Sequence, residues 1–286
     1  MLMRRFIKSA FSCLITVILL TSGAVSVSAQ YYMNVVQKDG DVVQYLVSNI
    51  DSVYFSGQDS PAANYEYVDL GLSVKWATFN VGATKPEEFG DYYAWGETEP
   101  YYKGSYDGEY QLYEWKDGKS DGYRWSNYKW CKGSNSTMIK YCNNSDYGYD
   151  GFTDALTVLT PEDDVAHVKW GDSWRMPTKL ELDELRYNCT WSWFESGNTK
   201  FNGVAGYMVR SRKKDFTDNY IFLPAAGFCY YTHLSDVGYG GYYWTSSLDT
   251  DSPYIAWNIY LNKSSGPDAR YVEGRFCGHS VRPVCP

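Results

Sequence analysis

The sequence predicts an α+β fold in which β-structure predominates. Three observations carry this. Apolar runs of three to five residues recur between turns rich in Gly, Asn and Asp. Only two stretches carry helix-start signals. Aromatic residues, which favour strands, make up 18% of the 286 residues, with 12 Phe, 11 Trp and 29 Tyr. A charged fraction of 21% beside 44% hydrophobic residues excludes both an intrinsically disordered chain and a multispanning membrane protein. The net charge of −8 argues against nucleic-acid binding, because neutralising phosphates needs clustered Lys and Arg.

Residues 1–29 read as a secretory signal peptide. Arg4, Arg5 and Lys8 give the positive start, Phe11 to Leu20 the apolar stretch, and Val27-Ser28-Ala29 a small-residue cleavage site before Gln30. The apolar run is too short to span a bilayer comfortably. Removing those three bases takes 26 basic residues to 23 against 34 acidic, a net of −11. No later stretch is apolar enough to span a membrane. The expected location is secreted, periplasmic or on the cell surface.

From Tyr31 to Phe55 apolar and polar residues alternate around Asp39-Gly40, a two-residue hairpin turn, so residues 30–57 are read as a small β-hairpin module. Residues 58–64 (QDSPAAN) form a polar linker, and the larger domain spans 65–286. Within it, Tyr67-Val68-Asp69 and Val74 to Ala77 bracket Gly71 as a hairpin. Residues 100–150 show little periodicity and read as a long, aromatic-decorated surface insertion. Thr160-Pro161-Glu162-Asp163 starts a short helix, with an N-cap, a proline at the first helical position and acids in the first turn. Thr178-Lys179-Leu180-Glu181 is a capping box, and Leu182, Leu185 and Cys189 at helical spacing predict a helix near 179–189. Strands are expected at Tyr207–Val209, Ile221–Leu223, Tyr242–Trp244, Ile255–Ile259 and Val281–Val284. Trp76, Trp95, Trp174, Trp244 and Trp257 are expected in the core.

Six cysteines follow the signal peptide, an even number that suggests disulfides in an oxidising compartment but leaves 15 possible pairings. Cys131 and Cys142 share the insertion and are expected to pair with each other. Most catalytic signatures fail on inspection. Gly118-Lys119-Ser120 lacks the leading glycine of a phosphate loop, since Tyr113 stands there. Gly238, Gly240 and Tyr243 break the dinucleotide pattern at its third glycine. Gly278-His279-Ser280-Val281-Arg282 places an arginine where a nucleophile elbow needs a small residue. No catalytic residue is assigned. Asp146, Asp150 and Asp154, with Gly151, match four positions of a calcium loop, while Gly148 and Thr157 miss two others. Calcium is therefore the one cofactor left open.

Six motifs in order carry a resemblance to a known family. They are residues 67–78 (YVDLGLSVKWAT), 93–97 (YAWGE), 174–178 (WRMPT), 222–227 (FLPAAG), 241–247 (GYYWTSS) and 278–284 (GHSVRPV). Residues 65–286 resemble the Fibrobacter succinogenes major paralogous domain, common in exported proteins of Bacteroides-type bacteria. The hairpin ending at Phe55 resembles a module often found ahead of such domains. The resemblance implies a fold related to C-type lectins and formylglycine-generating enzymes. In that fold the helix from Thr178 packs on a twisted antiparallel sheet whose final strand holds Val281 to Val284. By the same analogy it implies the pairs Cys189–Cys285 and Cys229–Cys277.

The resemblance also bounds the function. C-type lectins that bind sugar through calcium use Glu-Pro-Asn or Gln-Pro-Asp, followed later by Trp-Asn-Asp. Here Tyr101 follows Glu99-Pro100 and Ile259 follows Trp257-Asn258, so that site is not supported. Related domains display ligand-binding residues on C-terminal strands and loops. The implied binding face is therefore Tyr230, Tyr231, His233 and Tyr239, then Asp249, Asp251 and Tyr254, then Arg270 and Tyr271. Arg282 is expected to tie loops together. The expected partner is a glycan or a cell-surface protein. A formylglycine-generating-type oxidase and a structural surface component are the alternatives.

Overall fold

The computed structural model describes residues 32–36, 42–46, 65–102, 114–171, 173–268 and 272–286. The chain divides into two compact units, Met1–Pro61 and Ala62–Pro286. In the first, β1 (Tyr32–Val36) and β2 (Val42–Leu46) pair antiparallel, Tyr32 opposite Leu46 and Val36 opposite Val42. The signal segment, the Asp39-Gly40 turn and the 58–64 linker lie outside the described residues.

The second unit is β-predominant, with two α-helices and several small antiparallel sheets among the described residues. Its first hairpin is where the sequence places it. β3 (Tyr67–Val68) pairs with β4 (Lys75–Ala77) across a loop in which Gly71 takes φ 68°, a conformation that favours glycine. β14 (Val284–Cys285) joins the other side of β4. The final strand is thus shorter than the expected Val281–Val284. Pro283 has no N–H for a ladder, and the Arg282 guanidinium is turned inward. It donates to Asn80 Oδ1 (2.8 Å) and to the carbonyls of Ala77 (3.1 Å), Thr78 (3.1 Å) and Phe222 (2.9 Å), tying loops together as expected.

The two helices start where capping chemistry dictates. Pro161–Asp163 forms a single 3₁₀ turn, and α1 (Val165–Trp170) follows it. Asp164 caps α1: its Oδ1 accepts from the N–H groups of Ala166 (2.9 Å) and His167 (3.2 Å). Its neighbour Asp163 is not a dipole-facing acid. It is buried and ion-pairs with Lys140 at 2.6 Å. α2 (Lys179–Asn188) carries the complete capping box, Thr178 and Glu181 each bonding the other's backbone N–H. Cys189 ends this helix and opens β5 (Cys189–Phe194), a strand without a distinct signal in the sequence.

β5 pairs with β6 (Gly206–Ser211), which pairs with β7 (Tyr220–Pro224). β8 (Phe228–Tyr230) and β9 (His233–Ser235) form a hairpin. β10 (Gly240–Leu248) pairs with β11 (Ile255–Asn262), to which β12 (Gly266–Asp268) and β13 (Val272–Gly274) are added. α2 contacts β10 and β11. Leu182 and Leu185 join Val209, Ile221, Leu223, Ile259 and Leu261 in one core.

A second core corrects the sequence reading of 100–150 as a surface insertion. Tyr101, Tyr102, Tyr123, Tyr128, Met138 and Tyr141 are buried with Trp95 and Trp244. Few of these residues lie in regular strands, so no alternation marks their inward faces. Their phenols are satisfied locally: Tyr101 donates to Glu97 (2.6 Å), Tyr128 to the Trp95 carbonyl (2.7 Å) and Tyr123 to the Tyr92 carbonyl (2.5 Å). Arg275, fully buried, locks this segment to the C-terminal loops. It donates to Tyr128 Oη (2.8 Å) and to the carbonyls of Tyr141 (2.9 Å), Pro253 (2.8 Å) and Lys140 (3.0 Å). Of the five tryptophans expected in the core, Trp76, Trp95, Trp174 and Trp244 are buried and Trp257 is half-buried.

Candidate functional site

The β8–β9 hairpin is held by backbone on both flanks. Tyr231, at φ 53° in its turn, exchanges two hydrogen bonds with Tyr123 (2.9 and 3.1 Å). Cys229 exchanges two with Gly278 (2.7 and 3.0 Å). Both approaches require glycine. A Cβ on Gly122 would lie 2.0 Å from the Tyr231 carbonyl oxygen, and one on Gly278 would lie 2.7 Å from the Tyr123 ring. The hairpin thus presents aromatic rings on a fixed frame. Tyr230 is 39% exposed and packs edge-on against Tyr231, with centroids 4.2 Å apart, and against Phe276 at 5.7 Å. Phe276 meets Trp125 at 4.7 Å. The Arg124 guanidinium lies over the Tyr231 ring at 4.1 Å, a cation–π contact. His233, opposite Tyr230, is exposed, and Tyr239 in the next turn is 78% exposed.

The remaining binding-face residues lie outside the hairpin itself. Asp249 uses its Oδ1 to accept the N–H groups of Asp251 (2.9 Å) and Ser252 (3.0 Å), closing the β10–β11 turn. Its carboxylate is a turn-former. Asp251 is exposed, and Tyr254 is half-buried against Tyr147 at 5.1 Å. Arg270 and Tyr271 lie outside the described residues.

The calcium candidates separate in the structure. Asp154 spends its carboxylate on the N–H groups of Tyr141 (2.7 Å), Cys142 (3.0 Å) and Leu156 (3.2 Å). Asp146 and Asp150 are exposed. Among the described residues no group of three or more His, Cys, Asp or Glu is placed to hold a metal ion.

The cysteine pairings also need correction. All six cysteines are buried, and no disulfide joins them. Cys131 directs its thiol to the Trp125 carbonyl (3.2 Å) and Cys142 to the Asn144 carbonyl (3.2 Å), each satisfied within its own turn. Cys189 belongs to the α2 core while Cys285 packs with Ala77 and Trp174. Burial pushes the Cys189 thiol up to about 11, which keeps it protonated. Cys229 and Cys277 are close enough to interact electrostatically, flanking the Cys229–Gly278 bridge, without a bond between their sulfurs.

A cavity of about 710 Å³ is the feature that sequence reasoning missed. Its lining comes from the segment before β3, the loop after β4, residues 91–93 and the end of α1, so no spacing rule groups the parts. Tyr65 stacks on Trp170 at 3.9 Å with planes 4° apart, and Phe79 stands edge-on to Trp170 at 5.4 Å. Opposite in character is Asp91. Tyr93 donates to its Oδ2 (3.3 Å). Burial pushes the Asp91 carboxyl above its usual range. Lys169 also lines the cavity but is ion-paired with Glu99.

No protein-family model, no curated protein and no solved structure matches this chain.

Proposed function

We propose that this is an exported binding protein whose C-type-lectin-like domain recognises a glycan through the aromatic face of the β8–β9 hairpin. The observation that carries the reading is the clustering of Tyr230, Tyr231 and Phe276, bordered by Arg124 and His233, on a hairpin fixed from both sides. Ring faces stack on the apolar faces of sugars, while Tyr, Arg and His supply hydrogen bonds to hydroxyls. Tyr does this at low entropic cost because it has few rotatable bonds. Export rests on the signal-peptide pattern of residues 1–29. Membership of the Fibrobacter succinogenes major paralogous domain family rests on the order of the six motifs. The contact of capped helix α2 with the β10–β11 sheet supports the lectin-like fold.

The oxidase alternative has less support. Cys277 packs in the core that includes Trp95 and Trp244, and Cys285 in another with Trp174. The reading is tested by screening the chain from Gln30 onward on a glycan array, with and without chelator. Binding to a defined saccharide class supports it. A uniformly negative array, with capture of a surface protein instead, overturns it.

A further inference from the structure

The cavity between the start of β3, the loop after β4 and the end of α1 shares no residue with the hairpin face. At about 710 Å³ it has the size of a small-molecule site. Its chemistry is uneven in an informative way. One wall is aromatic, formed by half-buried Tyr65, Phe79 and Trp170. The other holds Asp91, and among the described residues no Lys or Arg lies within ion-pair distance of that carboxylate. The Tyr93 phenol donates a hydrogen bond to it, and Lys169 and Lys116 act on its charge only from beyond ion-pair distance. Lys169, the one cation among the described lining residues, is committed to Glu99, which also holds Lys116 at 3.0 Å. Glu66 adds a second acid.

Gly82 keeps this carboxylate accessible. It adopts φ 85°, and a Cβ there would lie 2.5 Å from Asp91 Oδ2. The backbone holds the two together, Asp91 donating its N–H to the Val81 carbonyl at 3.0 Å. A partly desolvated carboxylate without a paired cation is costly, and aromatic walls attract cations through the ring quadrupole. Both features are complementary to the same ligand.

We propose that this cavity binds a small organic cation, its ammonium held at Asp91 and its alkyl groups against Tyr65, Phe79 and Trp170. A neutral sugar would gain from the aromatic wall but would leave the carboxylate's charge uncompensated. A cation satisfies both.

The test is calorimetric titration of the full chain with choline, set against its neutral isostere 3,3-dimethyl-1-butanol and against glucose. The expected result is binding of choline, with the isostere and glucose at least about tenfold weaker. Asp91→Asn keeps the shape and removes the charge, and it is expected to lower choline affinity by about tenfold or more. Gly82→Ala retains the charge but crowds Oδ2, and is expected to weaken choline as well. If Asp91→Asn melts far below the wild type, the comparison of choline with its isostere on the wild-type protein decides alone. Three results would overturn the proposal: no choline binding, equal binding of the neutral isostere, or unchanged affinity in a folded Asp91→Asn protein.

Discussion

Replacing Arg275 by Met tests whether the 114–160 segment is a structural half of the domain or a dispensable decoration. The guanidinium is fully buried and makes four hydrogen bonds, three of them to main-chain carbonyls of Lys140, Tyr141 and Pro253. It also lies 4.8 Å from the Trp95 ring centroid. Met fills similar volume but leaves those three carbonyls without a donor. Each stranded buried acceptor costs about 1–3 kcal/mol, partly offset because no charge then needs to be desolvated. A net loss of about 3–5 kcal/mol follows, a large share of a typical stability of about 5–15 kcal/mol. For a unit of this size that corresponds to a melting temperature lower by about 6–20 °C. Arg275→Lys retains the charge but lacks the planar fork, so it recovers only part of the loss. Differential scanning calorimetry of the three proteins reads the result directly. A melting temperature for Arg275→Met within about 2 °C of the wild type would refute the claim that Arg275 holds the two halves together.

Further outcomes follow from the same geometry. His279 is fully buried, stacked on Trp244 at 3.9 Å, and neither ring nitrogen has a hydrogen-bond partner among the described residues. Burial depresses its pKa well below 6.5, so the folded state resists a proton that the unfolded state accepts. Its contribution is therefore complete above pH 6.5 and is lost as pH falls below it. The loss is about 1.4 kcal/mol between roughly pH 7.5 and 5.5. Half-buried Asp91 and buried Glu97 and Asp164 have raised pKa values and act in the opposite sense, so denaturant unfolding must compare wild type with His279→Phe. The wild type should lose about 1.4 kcal/mol more than the variant over that range; parallel pH profiles would disprove the assignment. Gly122→Ala forces a Cβ toward the Tyr231 carbonyl and should loosen the β8–β9 hairpin. Faster amide exchange at Tyr123 and Tyr231 is expected, and unaltered exchange would contradict it. On the proposed reading of residues 1–29 as a signal peptide, the mature chain should begin at Gln30 by N-terminal sequencing; an intact Met1 start would remove the case for signal cleavage.

Local chemistry was the most legible part of this chain. The Thr178 capping box sets the start of α2 within a residue, because the reciprocal bonds involve only positions three apart. The Gly71 hairpin and the cores of β6, β7, β10 and β11 follow from short apolar runs bounded by turns. Non-local features were not legible. Tyr101, Tyr123 and Tyr141 sit in a polar-looking stretch, and Tyr123 and Tyr141 are buried with hydroxyls received by Tyr92 and Asp163, 31 and 22 residues away. Two of the expected disulfides are not favoured by the packing, since Cys131 and Cys142 bond neighbouring carbonyls and Cys189 and Cys285 occupy different cores, while Cys229 and Cys277 lie near each other as the analogy implies. The binding-face residues were legible as a set of loops but not as one surface. Tyr230, Tyr231 and His233 share the hairpin, while Asp249 serves its own turn. The Asp91 cavity was invisible, assembled as it is from four separated segments, although the glycine pair Gly82 and Gly90 flanking Asp91 hints at a tight backbone approach.

The central claim is that the exposed tyrosines of the β8–β9 hairpin and of the turn that follows it recognise a ligand. Its most direct test is isothermal titration of the strongest-binding array glycan into the wild type and a Tyr230→Ala/Tyr239→Ala protein of matched thermal stability. These rings are 39% and 78% exposed, so their removal should leave the fold intact. Losing the stacking of both predicts a fall in affinity of about tenfold or more. Identical affinity in the two proteins would contradict the account.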